Sequence, residues 1–419
     1  MRTITLRRVA VTGLGAITDL GHDVATTWNG MIEGRSGIGP ITAFEQNDEW
    51  TVTFAGEVGD FDSSHAVDPR EAKRMDRACL LGLVAAEEAA RDCGVDFETG
   101  DHGRRGVAIG SGIGGIITIE LGYEKLLRTG PRKINPFTVP KLMVNACAGN
   151  VSIRHRLQGT NIATATACAT GGHAIGSAFQ SIQRGDADLM FAGGTEAAVS
   201  SLCVGAFATM KALSTRNDDP THASRPFDVD RDGFVLSEGA AVVVLEELEH
   251  AKARGAKIYA EVLGYASSGD AFHIAAPDES GIGARNAMTW ALRDAEVSPE
   301  DVGYINAHGT STPLGDAAEV HAVKEVFGDH ATSLAMSSTK SMTGHALGAA
   351  GGIESIAAVK ALETGILPPT TNLDRPDAEF GLDFVPNQAQ ERPIDVAINN
   401  SFGFGGHNVS LVLGRYRGD

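Results

Sequence analysis

Short apolar, β-branched runs alternate along the chain with Ala-rich stretches of helical spacing. Runs at residues 8–11, 106–109, 162–167, 188–192, 240–245 and 395–399 are short and largely apolar or small. Such runs predict buried, largely parallel strands. Between them, residues 71–93 and 281–295 carry helical periodicity, the second through Ala284, Ala287, Met288, Ala291 and Leu292. Strands alternating with helices predict an α/β fold.

A charged stretch at 247–257 follows one strand and precedes a strand-like run at 258–265. It predicts a division into residues 1–256 and 257–419. Several strands are expected to run into Gly-rich turns: Gly13-Leu14-Gly15, residues 110–115, Gly193-Gly194, Gly309 and residues 403–406. Glycine lacks a Cβ and tolerates positive φ, so such turns are read as close approaches of backbone to a ligand. Two nucleotide patterns fail. Thr18 stands where a dinucleotide fingerprint needs its third glycine, and no GxxxxGK[ST] phosphate loop occurs. A GxSxG elbow is also missing.

Composition narrows the class. The chain holds 51 glycines in 419 residues, well above the typical ~7%. A net charge of −18 argues against a nucleic-acid binder, whose footprint is basic. Five cysteines, an odd number with no CxxC spacing, exclude a paired disulfide framework and the common zinc patterns. The start of the chain enters strand-like sequence without an apolar signal region, and no long uncharged apolar run occurs. These features predict a cytoplasmic protein without a membrane span.

Candidate chemistry gathers at strand ends. Residues 161–167 form a run of small residues ending at Cys168, and a helix with Ala174, Ile175, Ala178, Phe179 and Ile182 on one face follows. At a helix N-terminus, unpaired N–H groups favour thiolate over thiol and can hold an oxyanion. Cys168 reads either as a nucleophile or as one more small buried hydrophobe. A nucleophilic cysteine needs a proton-handling partner. His308 lies at a strand end before Gly309, Thr310, Ser311 and Thr312. Lys340 and His345 stand five apart in another hydroxyl-rich turn, ahead of a helix over 346–362 that contains Glu354. Each histidine alone is ordinary; with Cys168, three reactive side chains at three small-residue strand ends predict a site.

At these residues the chain resembles the β-ketoacyl-[acyl-carrier-protein] synthases, most closely the type II elongating enzymes of bacterial fatty-acid synthesis. The matching segments are 11–15, Thr166-Ala167-Cys168, 306–312, 340–345 and 400–406. They occur in the family's order over essentially the whole chain. The resemblance implies a thiolase-like α/β fold of two similar halves in five layers. It implies decarboxylative Claisen condensation of an acyl chain on Cys168 with malonyl-[acyl-carrier-protein], extending the chain by two carbons. It assigns His308 and His345 to the carboxylate-losing half-reaction, where two imidazole N–H groups suit an enolate oxygen. Lys340 and Glu354 would support them. Backbone N–H groups of Cys168 and Phe404 would form the oxyanion hole, with Phe404 as a gate. Ile113, Phe207 and Phe402 would line the acyl pocket, and Thr310 and Thr312 would hold the pantetheine arm. No metal or organic cofactor is implied beyond the carrier's phosphopantetheine.

The partner implied is an acidic acyl carrier protein, and the assembly a homodimer. Arg70, Lys73, Arg74 and Arg77 fall at helical spacing and predict one cationic stripe on a helix face. Arg128, Arg132 and Lys133 form a second cluster, and Lys211 a third candidate. Three departures from the family's usual wording are Asp19 in place of proline, Ala169-Thr170-Gly171-Gly172 after the cysteine, and His407 in place of threonine. None falls on a reacting group. Two other readings remain open: the ketosynthase subunit of an aromatic polyketide system, and its non-catalytic chain-length partner, against which Cys168 argues.

Overall fold

The computed structural model describes residues 5–418. Ten strands form its main sheet: β1 (Val9–Ile17), β2 (Arg105–Gly110), β3 (Asn161–Ile162), β4 (Leu189–Glu196), β5 (Gly239–Glu247), β6 (Ala260–Gly269), β7 (Tyr304–Asn306), β8 (Ala335–Ser337), β9 (Val396–Gly403) and β10 (His407–Gly414). Their spatial order is β8-β7-β9-β10-β6-β1-β5-β4-β2-β3. Counted inward from either edge, each set of five runs third, second, fourth, fifth, first. The two sets therefore share one topology and meet where β1 lies antiparallel to β6, Val9 opposite Val262.

The strands are mixed in direction, not largely parallel as their apolar runs predict. In both halves the outer pairs are parallel, while the fifth strand lies antiparallel between the fourth and the first. Burial explains the misreading. Every residue of β1 is buried, because helices cover both faces, and a strand covered on both faces has the same apolar pattern in either direction.

Six helices build the layers: α1 (Arg77–Cys93), α2 (Ile116–Thr129), α3 (Thr170–Gln183), α4 (Ile282–Asp294), α5 (Pro313–Phe327) and α6 (Ala350–Thr364). Helix α6 is buried around nearly its whole circumference, which marks a helix of the core interior. It packs on α3 between the two half-sheets. The crossing brings backbone to backbone: a Cβ on Gly171 would lie 2.7 Å from the nitrogen of Gly352, and one on Gly351 would lie 2.6 Å from that of Gly172. Helix α1 covers the first half-sheet from outside, and α4 with α5 covers the second. The result is the five-layer, thiolase-like αβαβα arrangement. No helix among the described residues is long and apolar enough to cross a membrane.

The glycines at 13, 15, 193 and 194 correct the sequence reading. All four lie inside strands β1 and β4, not in turns. A Cβ on Gly13 would sit 2.6 Å from the Ala89 carbonyl, and one on Gly15 would collide with that of Ala85. They let α1 settle onto the sheet. None of the four glycines lines the cavity described below.

Candidate active site

The predicted strand at 162–167 pairs only at Asn161–Ile162. Beyond it, hydroxyls draw the chain off the sheet towards the start of α3. Thr170 Oγ1 accepts from the nitrogen of Thr166 at 2.9 Å, Thr164 donates to the Thr170 carbonyl at 3.0 Å, and Thr166 Oγ1 meets His173 Nδ1 at 2.8 Å. The chain then turns sharply through Ala167, whose φ of +49° costs a non-glycine residue on the order of 1 kcal/mol. Cys168 follows in a 3-10 turn that leads into α3, and it is buried on the wall of a cavity of about 630 Å³.

The 403–406 segment connecting β9 to β10 lies against this turn: a Cβ on Gly403 would be 3.1 Å from the nitrogen of Cys168. Backbone N–H groups of Phe404 and Cys168 face the sulfur and, with the charge of Lys340, favour its thiolate. Burial outweighs them and pushes the thiol up to about 12. Desolvation thus works against the thiolate that the helix N-terminus favours.

Strand β7 ends at Asn306, and His308 follows two residues later. Its turn is held from behind, where Glu319 on α5 accepts from the nitrogens of His308 at 2.9 Å and Gly309 at 2.8 Å. His345 is fixed by its backbone, its nitrogen donating to the Val235 carbonyl at 2.7 Å. The two imidazoles stand edge to face with centroids 5.4 Å apart. His308 Nδ1 and both ring nitrogens of His345 are buried with no hydrogen-bond partner among the described residues. Burial first, then the charge of Lys340, holds both imidazoles well below the usual histidine range. They are neutral, so each ring has one N–H and one acceptor nitrogen. Lys340 and Glu354, both almost wholly buried, form an ion pair behind them. Lys340 also donates to the His308 carbonyl at 2.5 Å.

Ile113, Phe207, Phe402, Thr310, Thr312, Phe404 and Lys211 all line the same cavity. Phe207 meets Phe234 edge-on at 5.3 Å, and Phe234 meets His345 edge-on at 5.4 Å. The hydroxyls of Thr310 and Thr312 are 3.0 Å apart. Arg70, Lys73, Arg74, Arg132 and Lys133 lie outside the cavity and are exposed.

The single cationic stripe is not present. The predicted helix over 71–93 breaks into Pro69–Ala72 and α1. Asp76 interrupts it, capping the nitrogen of Ala78 and accepting from the nitrogen of Thr118 at 3.0 Å. Arg77, on the far side of the break, pairs with the buried carboxylate of Glu238 at 2.6 Å. Arg74 lies over the ring of Phe137, 4.9 Å from its centroid.

Sequence reasoning passed over three fully buried carboxylates around the cavity: Glu196, Asp316 and Glu319. Burial pushes Glu319 up to about 7 and Asp316 to about 6. Their one sequence signal is an acid set among small or apolar residues, as in Gly193-Gly194-Thr195-Glu196.

Comparison with known proteins follows the same lines. The sequence matches the β-ketoacyl synthase N-terminal domain over residues 6–251 and the β-ketoacyl synthase C-terminal domain over 259–374. It is 50% identical over 417 residues to the 3-oxoacyl-[acyl-carrier-protein] synthase 2 of Synechocystis sp., covering 100% of both chains. Identity to the protein of that name from Coxiella burnetii is 51% over 409 residues, covering 98% of this chain and 99% of that one. The solved β-ketoacyl synthase of Burkholderia phymatum superposes with a TM-score of 0.91 at 36% identity, over 98% of this chain and 100% of that one. A type II polyketide ketosynthase, solved in complex with its acyl-carrier protein and bound to a hexaketide, gives 0.90 at 35%, again over 98% and 100%. In sequence along its whole length and in fold, the chain belongs to the β-ketoacyl synthase family.

Proposed function

We propose that Cys168, His308 and His345 carry out the 3-oxoacyl-[acyl-carrier-protein] synthase reaction of fatty-acid synthesis in this cavity. The observation that carries the assignment is one buried thiol sharing a wall with two neutral imidazoles, of which His308 Nδ1 and both ring nitrogens of His345 are buried without a partner among the described residues. In the first half-reaction the Cys168 sulfur attacks the acyl thioester carbonyl. The oxyanion forms against the N–H groups of Cys168 and Phe404. The carrier thiol leaves with the proton that Cys168 gives up, and the acyl chain stays on the sulfur. Malonyl-carrier protein then enters and loses CO2. The electron pair of the broken C–C bond becomes an enolate, whose oxygen accepts from the imidazoles of His308 and His345. Its carbon attacks the acyl-cysteine carbonyl, the Cys168–carbonyl bond breaks to release a 3-oxoacyl thioester two carbons longer, and the Cys168 sulfur, leaving as thiolate, takes up a proton from solvent. Neutral rings suit this step: each gives a hydrogen bond without surrendering a full proton. Lys340 and Glu354 position the His308 segment, and Thr310 and Thr312 hold the pantetheine.

The carrier docks over exposed cations, Arg70, Lys73, Arg74, Arg132 and Lys133, with Lys211 at the cavity mouth. We read the chain as two halves, 1–256 and 257–419, on the repeated strand order. A homodimer accounts for the exposed edge strand β3 and for Leu121, Tyr123 and Leu127, which stand exposed on α2. Five buried free cysteines suit the cytoplasm. The fatty-acid pathway is favoured over aromatic polyketide synthesis by identities of about half to the curated 3-oxoacyl synthases against roughly a third to the polyketide ketosynthase. The test incubates the enzyme with acyl- and malonyl-carrier protein and follows CO2 and a product two carbons longer. Hydrolysis without elongation contradicts the assignment.

A further inference from the structure

Glu196 closes strand β4, and its side chain is wholly buried one layer behind the cavity wall. Its carboxylate gathers four donors. Oε1 accepts from Ser111 Oγ at 2.6 Å and from the nitrogen of Ile113 at 3.3 Å, while Oε2 accepts from the nitrogens of Gly112 at 2.7 Å and Gly348 at 3.0 Å. The first three donors belong to the loop after β2, in one half of the molecule. Gly348 belongs to the turn after His345, in the other half. Both segments present a side chain to the cavity, Ile113 from the first and Leu347 from the second. These two pack with Cys168 and Phe207 in one apolar cluster.

The approach is tight enough to be specific. A Cβ on either Gly112 or Gly348 would lie 2.8 Å from Glu196 Oε2. Leu347 itself sits at a φ of +45°, a conformation that a leucine holds only where surrounding contacts impose it. Burial pushes the Glu196 carboxyl up, opposed by its four donors. A hydrophobic side chain of equal size would fill the space but leave those donors unpaired.

We propose that Glu196 is a positioning residue that sets acyl-chain-length discrimination, by clamping the Ile113 loop of one half against the Leu347 turn of the other. The clamp fixes the separation of Ile113 and Leu347 and so the shape of the cavity around the acyl chain on Cys168. Malonyl decarboxylation needs the histidines and not this wall, so the clamp acts on one half-reaction. The inference rests on the condensation assigned above.

The test compares wild type with Glu196→Gln across acyl-carrier substrates from short to long, and measures malonyl-carrier decarboxylation separately. The glutamine is the same size but turns one acceptor into a donor facing N–H groups. The ratio of kcat/KM between preferred and disfavoured chain lengths should fall about tenfold, the usual scale for losing a hydrogen bond to a charged acceptor. Decarboxylation should stay near wild type. Ser111→Ala, which removes a single donor, should flatten the profile in the same direction by less, and it carries the test if the glutamine variant does not fold. An unchanged length ratio in an active variant overturns the clamp. A uniform loss across all lengths and decarboxylation makes Glu196 merely structural and overturns it too. Wild type that fails to elongate at all overturns the parent assignment instead.

Discussion

The rings of His308 and His345 meet edge to face, 5.4 Å between centroids at 84°, and both are held neutral by burial and by Lys340. Their folded-state pKa values lie well below the ordinary histidine value. The neutral rings, each with one N–H and one acceptor nitrogen, therefore persist well into the acid range. Malonyl-carrier decarboxylation, measured against pH on the folded enzyme, should show no acid limb centred near about 6.5. A limb there would mean that one imidazole titrates freely and the electrostatic account is wrong.

Cys168 separates the two half-reactions. Cys168→Ala removes the acyl acceptor but leaves the histidines in place. Condensation should disappear below detection, a loss of at least about a thousandfold, while CO2 release from malonyl-carrier protein persists. Elongation by the alanine variant would refute the nucleophile.

Lys340 and Glu354 are paired in the interior, each about 2% exposed at the side chain. Lys340→Ala strands a buried carboxylate and should cost about 3–5 kcal/mol in chemical denaturation. A double change, Lys340→Met with Glu354→Leu, removes both charges and should recover most of that stability. It should not recover activity, because the bond from Lys340 to the His308 carbonyl is lost in both. Full activity in the double variant would reduce the pair to a packing element.

The break at Asp76 divides the cations into two groups with different consequences. Lys73→Glu with Arg74→Glu changes exposed side chains and should raise KM for carrier-bound substrate several-fold, roughly 1 kcal/mol of docking. Small thioesters should be turned over as before. Arg77→Glu instead places a second acid beside Glu238, which is 3% exposed, and should lower Tm without a selective effect on the carrier. Equal losses on both substrates for the Lys73/Arg74 variant would remove docking from that surface.

What the sequence revealed and what it hid have a common physical cause. That Cys168, His308 and His345 share one cavity was legible in the small and hydroxyl-bearing residues beside each, a local pattern. The same was true of α4, whose Ala284, Ala287, Met288, Ala291 and Leu292 are all buried. Features made by distant partners were not. Asp76 breaks a helix by bonding Thr118, and Glu196 reaches both Gly112 and Gly348. Nothing near these acids in the chain indicates those bonds. Gly13 and Gly15 were misassigned for the same reason, since the α1 carbonyls that require them lie some seventy residues away. The duplication resides in strand order, which periodicity does not encode.

Asp19 offers a last test. Its side chain is wedged against Gly37 and Gly56, and a Cβ on either glycine would collide with it. Both carboxyl oxygens are buried without a hydrogen-bond partner among the described residues. Burial, reinforced by the nearby charge of Glu238, raises its pKa well above the ordinary aspartate value. A raised folded-state pKa means that the folded protein holds this proton more tightly than the unfolded chain does. Its contribution to stability is fully present below the unfolded pKa and is lost as pH rises through the folded one. Asp19→Asn has nearly the same shape and cannot ionise. It should therefore melt above wild type at about pH 7.5, with the difference shrinking as pH falls towards about 4. Comparing Tm of the two proteins across that range cancels every titration they share. A difference independent of pH, or an asparagine variant less stable than wild type at the alkaline end, would show that the Asp19 carboxylate is solvated or paired in solution.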